Sequence, residues 1–374
     1  MRVLFDHQAF SLYSHGGVSR VFAELLGCFA EDESVTPLLP VLLTRNQYLL
    51  QASLPTGLSY RTRSAGCMPR PVVSAINALA TRHAQRSCTY DIFHPTYYMP
   101  HFLRGLRGKP FVLTVYDMTE EIYPGSSGGL EMFLTRKRLL AEKAARVIAI
   151  SENTKRDLVR LFGLAEEKVS VVHLANSLVP PPPASSSPVA TPYLLFVGRR
   201  GGYKNFDFFV RAAAKFLEEH RDCSVVCAGG GPFTAQERAL LEEERVTERV
   251  LLHDACDDAM LARLYRYAMC FVLPSLYEGF GIPILEAFAC GCPVLSSDRS
   301  SLPEVGGDAV RYFDPSDEAS LVSALGQITH PDETDRLRHA GSQRLAQFTW
   351  QKAAEATRQV YQKVIDDRSQ PGQG

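Results

Sequence analysis

Short apolar runs alternate with segments of helical period along most of this chain of 374 residues. Runs rich in Val, Ile, Leu and Phe predict buried strands, and apolar residues recurring every three or four positions predict helices. The predicted strands are 2–5, 38–43, 91–94, 111–115, 146–150 and 169–172, then 193–198, 223–228, 250–255 and 270–273. This alternation predicts an α/β protein with doubly wound parallel sheets covered by helices on both faces.

A proline-rich segment interrupts this pattern. Residues 179–192 read VPPPPASSSPVATP, a composition that favours extended, solvated backbone over helix or sheet. We therefore predict an N-terminal domain at 1–178, a linker at 179–192 and a C-terminal domain at 193–348. A closing amphipathic helix is predicted at 349–368.

Composition narrows the class of protein. The chain has 40 Lys and Arg against 41 Asp and Glu, and this near-neutral balance argues against nucleic-acid binding. Its nine cysteines follow no metal-ligand or disulfide spacing, which predicts reduced thiols. No apolar run reaches about 18 residues and the start lacks a signal-peptide pattern, so we expect a cytoplasmic protein.

One segment departs from this balance. Residues 45–109 contain a single acid, Asp91, and nine cations: Arg45, Arg61, Arg63, Arg70, Arg82, Arg86, Arg104, Arg107 and Lys109. Such a basic surface, interleaved with apolar residues, fits peripheral contact with anionic lipids on the inner face of the cytoplasmic membrane. The same charges also fit a plain solvated face.

The stretch 274–304 carries the chemistry. Glu278 and Glu286 flank a glycine-rich turn and a helix that Pro283 starts, directly after an apolar run. Helix amides over such a turn favour a phosphate, and two carboxylates beside a phosphate suit sugar hydroxyls. A nucleotide sugar is therefore the implied ligand. The alternative is a core helix whose two glutamates face solvent.

The setting EGFGIPILE, followed by ACGCPV and SSLPEVGGDA, closely resembles the donor-site motif of the retaining glycosyltransferases of family four. The resemblance implies the GT-B fold, in which two Rossmann-like domains face a central cleft and the last helix crosses back to the first domain. It makes the N-terminal domain the acceptor domain and the C-terminal domain the nucleotide-sugar donor domain.

The resemblance also implies residue roles on the donor side. Arg199 and Lys204, in the loop after strand 193–198, match the family's cations on the leaving diphosphate. Glu278 would contact the donor sugar and Glu286 the ribose. The remaining donor-binding positions implied are Gly16, Gly17, Gly198, Gly279, Phe280 and Gly281. No Asp-x-Asp pattern occurs in the sequence, so we expect no cofactor and no metal, with the nucleotide sugar as co-substrate.

The acceptor side departs from the family. His94 in FHPTYYMP and Asp117 in TVYDM follow predicted strands, and with Tyr116 they are the candidate substrate contacts. Tyr116 and Asp117 are also catalytic candidates, together with Arg199, Lys204 and Glu278. Family members usually read His-Asp where this chain reads Tyr116-Asp117, and tyrosine cannot replace the titration of histidine near neutral pH. The backbone then makes that contact, or the acceptor is unusual, or activity is reduced; we favour the first.

The sequence therefore predicts a metal-independent, retaining hexosyltransferase. The motifs FDHQAFS, GGVSR and FHPTYYMP look most like bacterial enzymes of O-antigen or surface-polysaccharide synthesis, which implies a GDP-linked mannose or deoxyhexose and a lipid-linked glycan acceptor. A nucleotide-sugar hydrolase or epimerase on the same fold, and a non-catalytic partner in a polysaccharide assembly complex, are the alternatives.

Overall fold

The structure, a computed structural model, describes residues 1–52, 62–125, 129–254 and 257–369. The chain divides into two compact units. The first unit comprises Met1–Leu174 with Trp350–Gly374, and the second comprises Ala175–Thr349. Residues 179–192, all of which are described, form neither helix nor strand. Their prolines have no backbone N–H to donate to a helix or a sheet ladder.

Parallel strands form the centre of the first unit. They are β1 (Arg2–Phe5), β2 (Thr36–Leu38), β3 (Leu43–Thr44), β4 (Arg63–Ser64), β5 (Ile92–His94), β6 (Val112–Val115), β7 (Arg146–Ala149) and β8 (Val169–Val171). Two three-stranded sheets have the orders β2-β1-β5 and β6-β7-β8, and a parallel bridge between Phe93 and Phe111 joins them. The predicted strand 38–43 is wrong: β2 ends at Leu38 and β3 begins at Leu43, because Pro40 offers no N–H to a ladder.

Helices cover the strands of the first unit. They are α1 (Gln8–Leu12), α2 (Gly17–Glu31), α3 (Gln47–Gln51), α4 (Arg70–Ser87), α5 (Thr119–Ile122), α6 (Leu130–Lys143), α7 (Glu152–Phe162) and, from the end of the chain, α15 (Trp350–Ser369). Helix α15 packs on α2 and buries Val360, Tyr361 and Val364. Through this apolar stripe the last helix packs as part of the first unit.

The second unit contains one six-stranded parallel sheet. Its strands are β9 (Tyr193–Val197), β10 (Ser224–Ala228), β11 (Val250–His253), β12 (Cys270–Leu273), β13 (Val294–Ser297) and β14 (Arg311–Phe313). The order is β11-β10-β9-β12-β13-β14, so the chain adds strands on one side of β9 and then on the other. This is the doubly wound order, with its switch point between β9 and β12.

Seven helices of the described second unit pack around this sheet: α8 (Phe206–Glu219), α9 (Ala235–Glu243), α10 (Asp258–Tyr267), α11 (Ile282–Ala289), α12 (Leu302–Gly306), α13 (Glu318–Ile328) and α14 (Pro331–Leu345). One face of α8 joins the buried core through Phe206, Phe209, Ala213, Phe216 and Leu217. The prediction of an α/β fold with parallel sheets is confirmed. Among the helices of the described residues, none is long and apolar enough to span a bilayer.

Candidate active site

The loops after β9 and β12 meet at the switch point of the second unit. These two strands are neighbours in the sheet, so their carboxyl ends lie side by side at the same edge. Ligands of doubly wound proteins bind at this position, where diverging helices leave a crevice. The backbone N–H of Leu276 donates to the carbonyl of Tyr203 at 2.8 Å and ties the two loops together.

Lys204 and Glu278 form an ion pair across this junction. The Lys204 Nζ lies 2.6 Å from Glu278 Oε1, and the side chains are 18% and 13% exposed. Ser275 also donates to Glu278 Oε1, at 2.7 Å. The structure therefore brings together a cation and a carboxylate that lie 74 residues apart in the sequence.

Glu286 lies on α11, whose amino end follows the glycine turn. Its Oε2 accepts a hydrogen bond from the hydroxyl of Tyr265 on α10 at 3.1 Å. Burial, together with the neighbouring Glu286, raises the pKa of Tyr265 well above its ordinary value, so the phenol stays a donor. Both glutamates are thus held by partners within the site, and the alternative of two glutamates facing solvent does not fit.

Gly281 precedes α11 in a conformation that other residues rarely adopt. Its φ is +107°, and a Cβ there would lie 2.9 Å from Leu302 Cδ2. Ser301 Oγ donates to the carbonyls of Glu278 and Phe280, at 2.9 Å each, and fixes the turn from behind. Gly279 lies inside this turn, half-buried.

The expected role of Phe280 needs correction. Its side chain is only 2% exposed and packs edge-on against Phe348, with ring centroids 5.8 Å apart. The ring belongs to the core of the second unit because the turn directs it inward. Only the backbone of Phe280 remains a candidate for contact with a donor.

Two adjacent arginines follow Gly198 and differ in environment. Arg199 is exposed, whereas Arg200 is 4% exposed and pairs with Glu237 at 3.0 Å. Arg200 also donates to the carbonyls of Gly229 and Gly231, at 2.8 and 2.6 Å. Arg200 therefore fixes the glycine loop after β10. Nothing in the sequence signals this role, since it depends on which of the two arginines points inward.

The expected substrate contact by His94 needs correction. Its side chain is fully buried in the first unit. Its Nδ1 is hydrogen-bonded to the Tyr361 hydroxyl at 2.6 Å and its Nε2 to Thr114 Oγ1 at 2.9 Å. With both ring nitrogens used inside the core, His94 anchors α15 and cannot reach a ligand.

Tyr116 and Asp117 follow β6 at the sheet edge of the first unit. The Tyr116 N–H donates to the Tyr98 hydroxyl at 3.2 Å, and its own hydroxyl is buried without a hydrogen-bond partner among the described residues. Burial raises the pKa of Tyr116 well above its ordinary value. Asp117 Oδ1 accepts from the N–H of Thr119 at 3.0 Å, which starts the short helix α5.

Gly16 and Gly17 form the amino end of α2, as a glycine turn before a helix predicts. Gly16 lies against Tyr13, whose ring is 5.9 Å from that of Tyr97 between centroids. Asp117 acts on the pKa of Tyr97, which burial in the first place raises above its ordinary value. Tyr97 of FHPTYYMP thus lies between the glycine turn and Asp117.

A polar cluster at the ends of β1 and β5 was not predicted as a unit. Asp6 is fully buried and accepts from the Thr96 N–H at 2.9 Å, the Thr96 hydroxyl at 2.7 Å and the Gln8 side chain at 2.5 Å. His7 beside it is buried, and desolvation lowers its pKa to about 4. These bonds fix the loops at the ligand edge of the first unit.

The second unit therefore presents a cation, two oriented carboxylates and a helix amino end at one sheet edge. Such a set can hold a diphosphate and accept hydrogen bonds from sugar hydroxyls. No group of three His, Cys, Asp or Glu side chains lies close enough to share a metal ion in the described ranges.

Fold and site together define a GT-B glycosyltransferase. Residues 15–175 match the family described as Glycosyltransferase Family 4, and residues 182–344 match Glycosyl transferases group 1. A D-inositol 3-phosphate glycosyltransferase 2 of Catenulispora acidiphila is 32% identical over 311 residues, covering 74% of this chain and 72% of that protein. The chain belongs to the family-four glycosyltransferases.

Two further comparisons agree with this. The O-antigen chain mannosyltransferase B of Escherichia coli is 28% identical over 285 residues, which cover 72% of this chain and 74% of that protein. The solved structure of sucrose-phosphate synthase from Thermosynechococcus elongatus has a TM-score of 0.73 at 21% identity, covering 98% of this chain and 99% of that one. At that identity the structure shows the shared GT-B fold.

Proposed function

We propose that this glycosyltransferase moves a hexose, mannose or a deoxyhexose, from a GDP-linked donor to a lipid-linked glycan in bacterial O-antigen or surface-polysaccharide synthesis. The observation that carries the proposal is the Lys204–Glu278 ion pair at the switch point, with Glu286 held beside it by Tyr265. The similarity to an O-antigen mannosyltransferase supports the choice of sugar and pathway class.

The chemistry follows from these side chains. Lys204, with Arg199 on the same loop, would balance the negative charge that grows on the diphosphate as the glycosidic bond breaks. Glu278 would accept hydrogen bonds from the sugar hydroxyls and Glu286 from the ribose. The two cations would serve in place of a divalent metal ion.

Retention is proposed to follow from attack on the same face of the sugar. The bond from the anomeric carbon to the diphosphate breaks as the bond to the acceptor oxygen forms on that face. The acceptor's hydroxyl proton passes to the departing phosphate oxygen, so the step needs no protein nucleophile. The family resemblance supports this step.

A thermal-shift screen tests the donor. We expect GDP-mannose or a GDP-deoxyhexose to raise the unfolding midpoint more than UDP-, ADP- or dTDP-sugars do. The sugar nucleotide that binds the folded state most tightly stabilises it most. Nucleotide release is then measured with and without a lipid-linked glycan primer. Release that needs the primer supports transfer, whereas equal release without it indicates the hydrolase, and the absence of any release indicates the non-catalytic partner.

A lipid-linked acceptor also requires approach to a membrane, and α4 has a suitable outer face. Val72 and Leu79 on this helix are 45% and 65% exposed, Met68 just before it is 42% exposed, and Arg82 and Arg86 of the helix are also exposed. Exposed apolar side chains beside arginines are the composition of a helix that rests on an anionic bilayer. Arg61 of the basic segment lies outside the described residues.

Charge reversal tests this contact. The pair Arg82→Glu and Arg86→Glu is expected to abolish sedimentation with vesicles of phosphatidylglycerol and phosphatidylcholine, because each basic residue near the surface contributes about 1 kcal/mol. The control pair Lys363→Glu and Arg368→Glu changes the net charge equally on exposed positions of α15. Equal loss in both pairs, or no loss in the first, would contradict contact through α4.

A further inference from the structure

A basic cavity of about 380 Å³ opens on the first unit, apart from the residues assigned above to donor and acceptor contact. Its walls come from α4, from the 3₁₀ turn Pro100–Gly105 that follows β5, and from α6. The lining residues are Arg82, Met99, Pro100, His101, Arg104 and Arg136. Its volume lies in the range of small-ligand pockets, about 300–1,000 Å³.

The charge of this cavity is one-sided. Three guanidinium groups and an imidazole line it, and no carboxylate does. Within the described part of the chain, Arg82, Arg104 and Arg136 form no ion pair and no hydrogen bond. The neighbours of Arg136 on α6 differ, since Lys137 pairs with Glu121 and Arg138 with Glu142, each at 2.9 Å.

Like charges gathered without counter-ions repel one another, so this arrangement favours a bound anion. Guanidinium groups match the geometry of phosphate oxygens, which they bind through paired N–H donors. Three arginines from three separate elements can approach a phosphate or diphosphate from different sides. The flanking Met99 and Pro100 give an apolar wall for the group that carries the phosphate.

The cavity is attached to the ligand edge of the first unit. The ring centroid of His101 lies 5.8 Å from that of His7, which lies two residues after the end of β1. Met99 is bound through its N–H and its carbonyl to the Gln8 side chain, at 2.8 and 3.1 Å. His7 Nε2 is buried without a hydrogen-bond partner among the described residues. The cavity therefore borders the sheet edge where a substrate of this unit would bind.

We infer that Arg82, Arg104, Arg136 and His101 form a phosphate-binding pocket for the acceptor, which is a phosphate or diphosphate ester. That the ligand is the acceptor rests on the proposed function. That the pocket binds a phosphate does not. A lipid diphosphate and a soluble sugar phosphate share this chemistry.

The test is titration calorimetry with inorganic pyrophosphate on the full chain carrying Lys204→Ala and Arg199→Ala, which remove the two cations of the proposed donor site. Adding Arg104→Gln and Arg136→Gln together is expected to weaken the pyrophosphate Kd by roughly tenfold or more, because two charge-assisted contacts are lost. The matched control is Arg138→Gln with Lys143→Gln, two exposed cations of α6 that lie outside the cavity; it should leave the Kd unchanged. Unaltered binding in the first pair, or equal weakening in both pairs, overturns the inference.

Two further probes separate the sources of the phosphate. Farnesyl diphosphate should lose affinity together with pyrophosphate in the pocket variants if a lipid diphosphate is bound. Loss for pyrophosphate and mannose 1-phosphate, but not for farnesyl diphosphate, would indicate a soluble ester. Either result supports the pocket. If only binding to phosphatidylglycerol vesicles falls, the arginines belong to a membrane-facing surface and the inference is wrong. The thermal shift by the donor should persist in the pocket variants, which separates failure of this inference from failure of the proposed function.

Discussion

Lys204→Ala is expected to lower glycosyl transfer by roughly 10²–10³-fold while the protein stays folded, the size of effect found when one preorganised group that stabilises developing charge is removed. Lys204 Nζ lies 2.6 Å from Glu278 Oε1 at the switch point, where the leaving diphosphate would gather charge. The Lys204 side chain is half-buried in the loop after β9 and belongs to no apolar core, and Ser275 still donates to Glu278 after its removal. The loss should therefore appear in catalysis and not in folding.

Initial rates at saturating donor and acceptor measure the effect. Because the charge on the diphosphate grows in the transition state, kcat should fall more than the donor KM rises. Lys215→Ala is the control: Lys215 lies on α8 and is paired with Glu318 at 2.6 Å, but it is 57% exposed and is not one of the site residues. Its turnover should stay close to that of the parent.

Glu286→Ala completes the test of the site. A carboxylate that binds the ribose acts in the ground state as much as in the transition state, so its loss should raise the donor KM more than it lowers kcat. Near-normal turnover and KM in both Lys204→Ala and Glu286→Ala would contradict the site assignment. An unfolding midpoint within a few degrees of the parent shows that each variant remains folded.

The turn of the candidate site in the second unit could be predicted from the sequence because its signals are local. Gly279, Gly281, Pro283 and the two glutamates lie within nine residues, and the turn that they form needs little from elsewhere. The meeting of Lys204 with Glu278 depends on β9 and β12 being neighbours in the sheet, which is a property of the whole topology. The family resemblance supplied that step.

The acceptor side could not be predicted in the same way. A polar residue after a strand points either to the ligand edge or into the core, and partners distant in sequence decide which. His94 is buried because Tyr361, 267 residues later, is placed beside it by α15. Arg200 shows the same limit, since the adjacent Arg199 is exposed whereas Arg200 is buried. Such choices are set by tertiary packing.

His94 has a second measurable consequence, in the stability of the first unit toward acid. The ring is surrounded by Phe5, Phe22 and Tyr361, at centroid distances of 5.6, 5.3 and 5.7 Å. Desolvation in this setting lowers the pKa of His94 to about 3, from an ordinary value of 6.5. Below pH 6.5, therefore, His94 binds a proton in the unfolded chain but stays neutral in the folded chain. The stability that neutral His94 contributes above pH 6.5 is lost as the pH falls toward 3.

The expected size follows from the same shift. At about 1.4 kcal/mol per pH unit, His94 should cost the folded state about 2 kcal/mol between pH 7 and pH 5. His94→Gln removes the titrating group, so its unfolding free energy should fall less between these two pH values, by about that amount, even though the variant is less stable at pH 7. Urea denaturation at both pH values measures the difference, with His83→Gln, an exposed position on α4, as the control. Because His7 is also buried with a lowered pKa, its acid sensitivity remains in His94→Gln, and a parent-like pH dependence in that variant would mean that His94 does not stay neutral in the core.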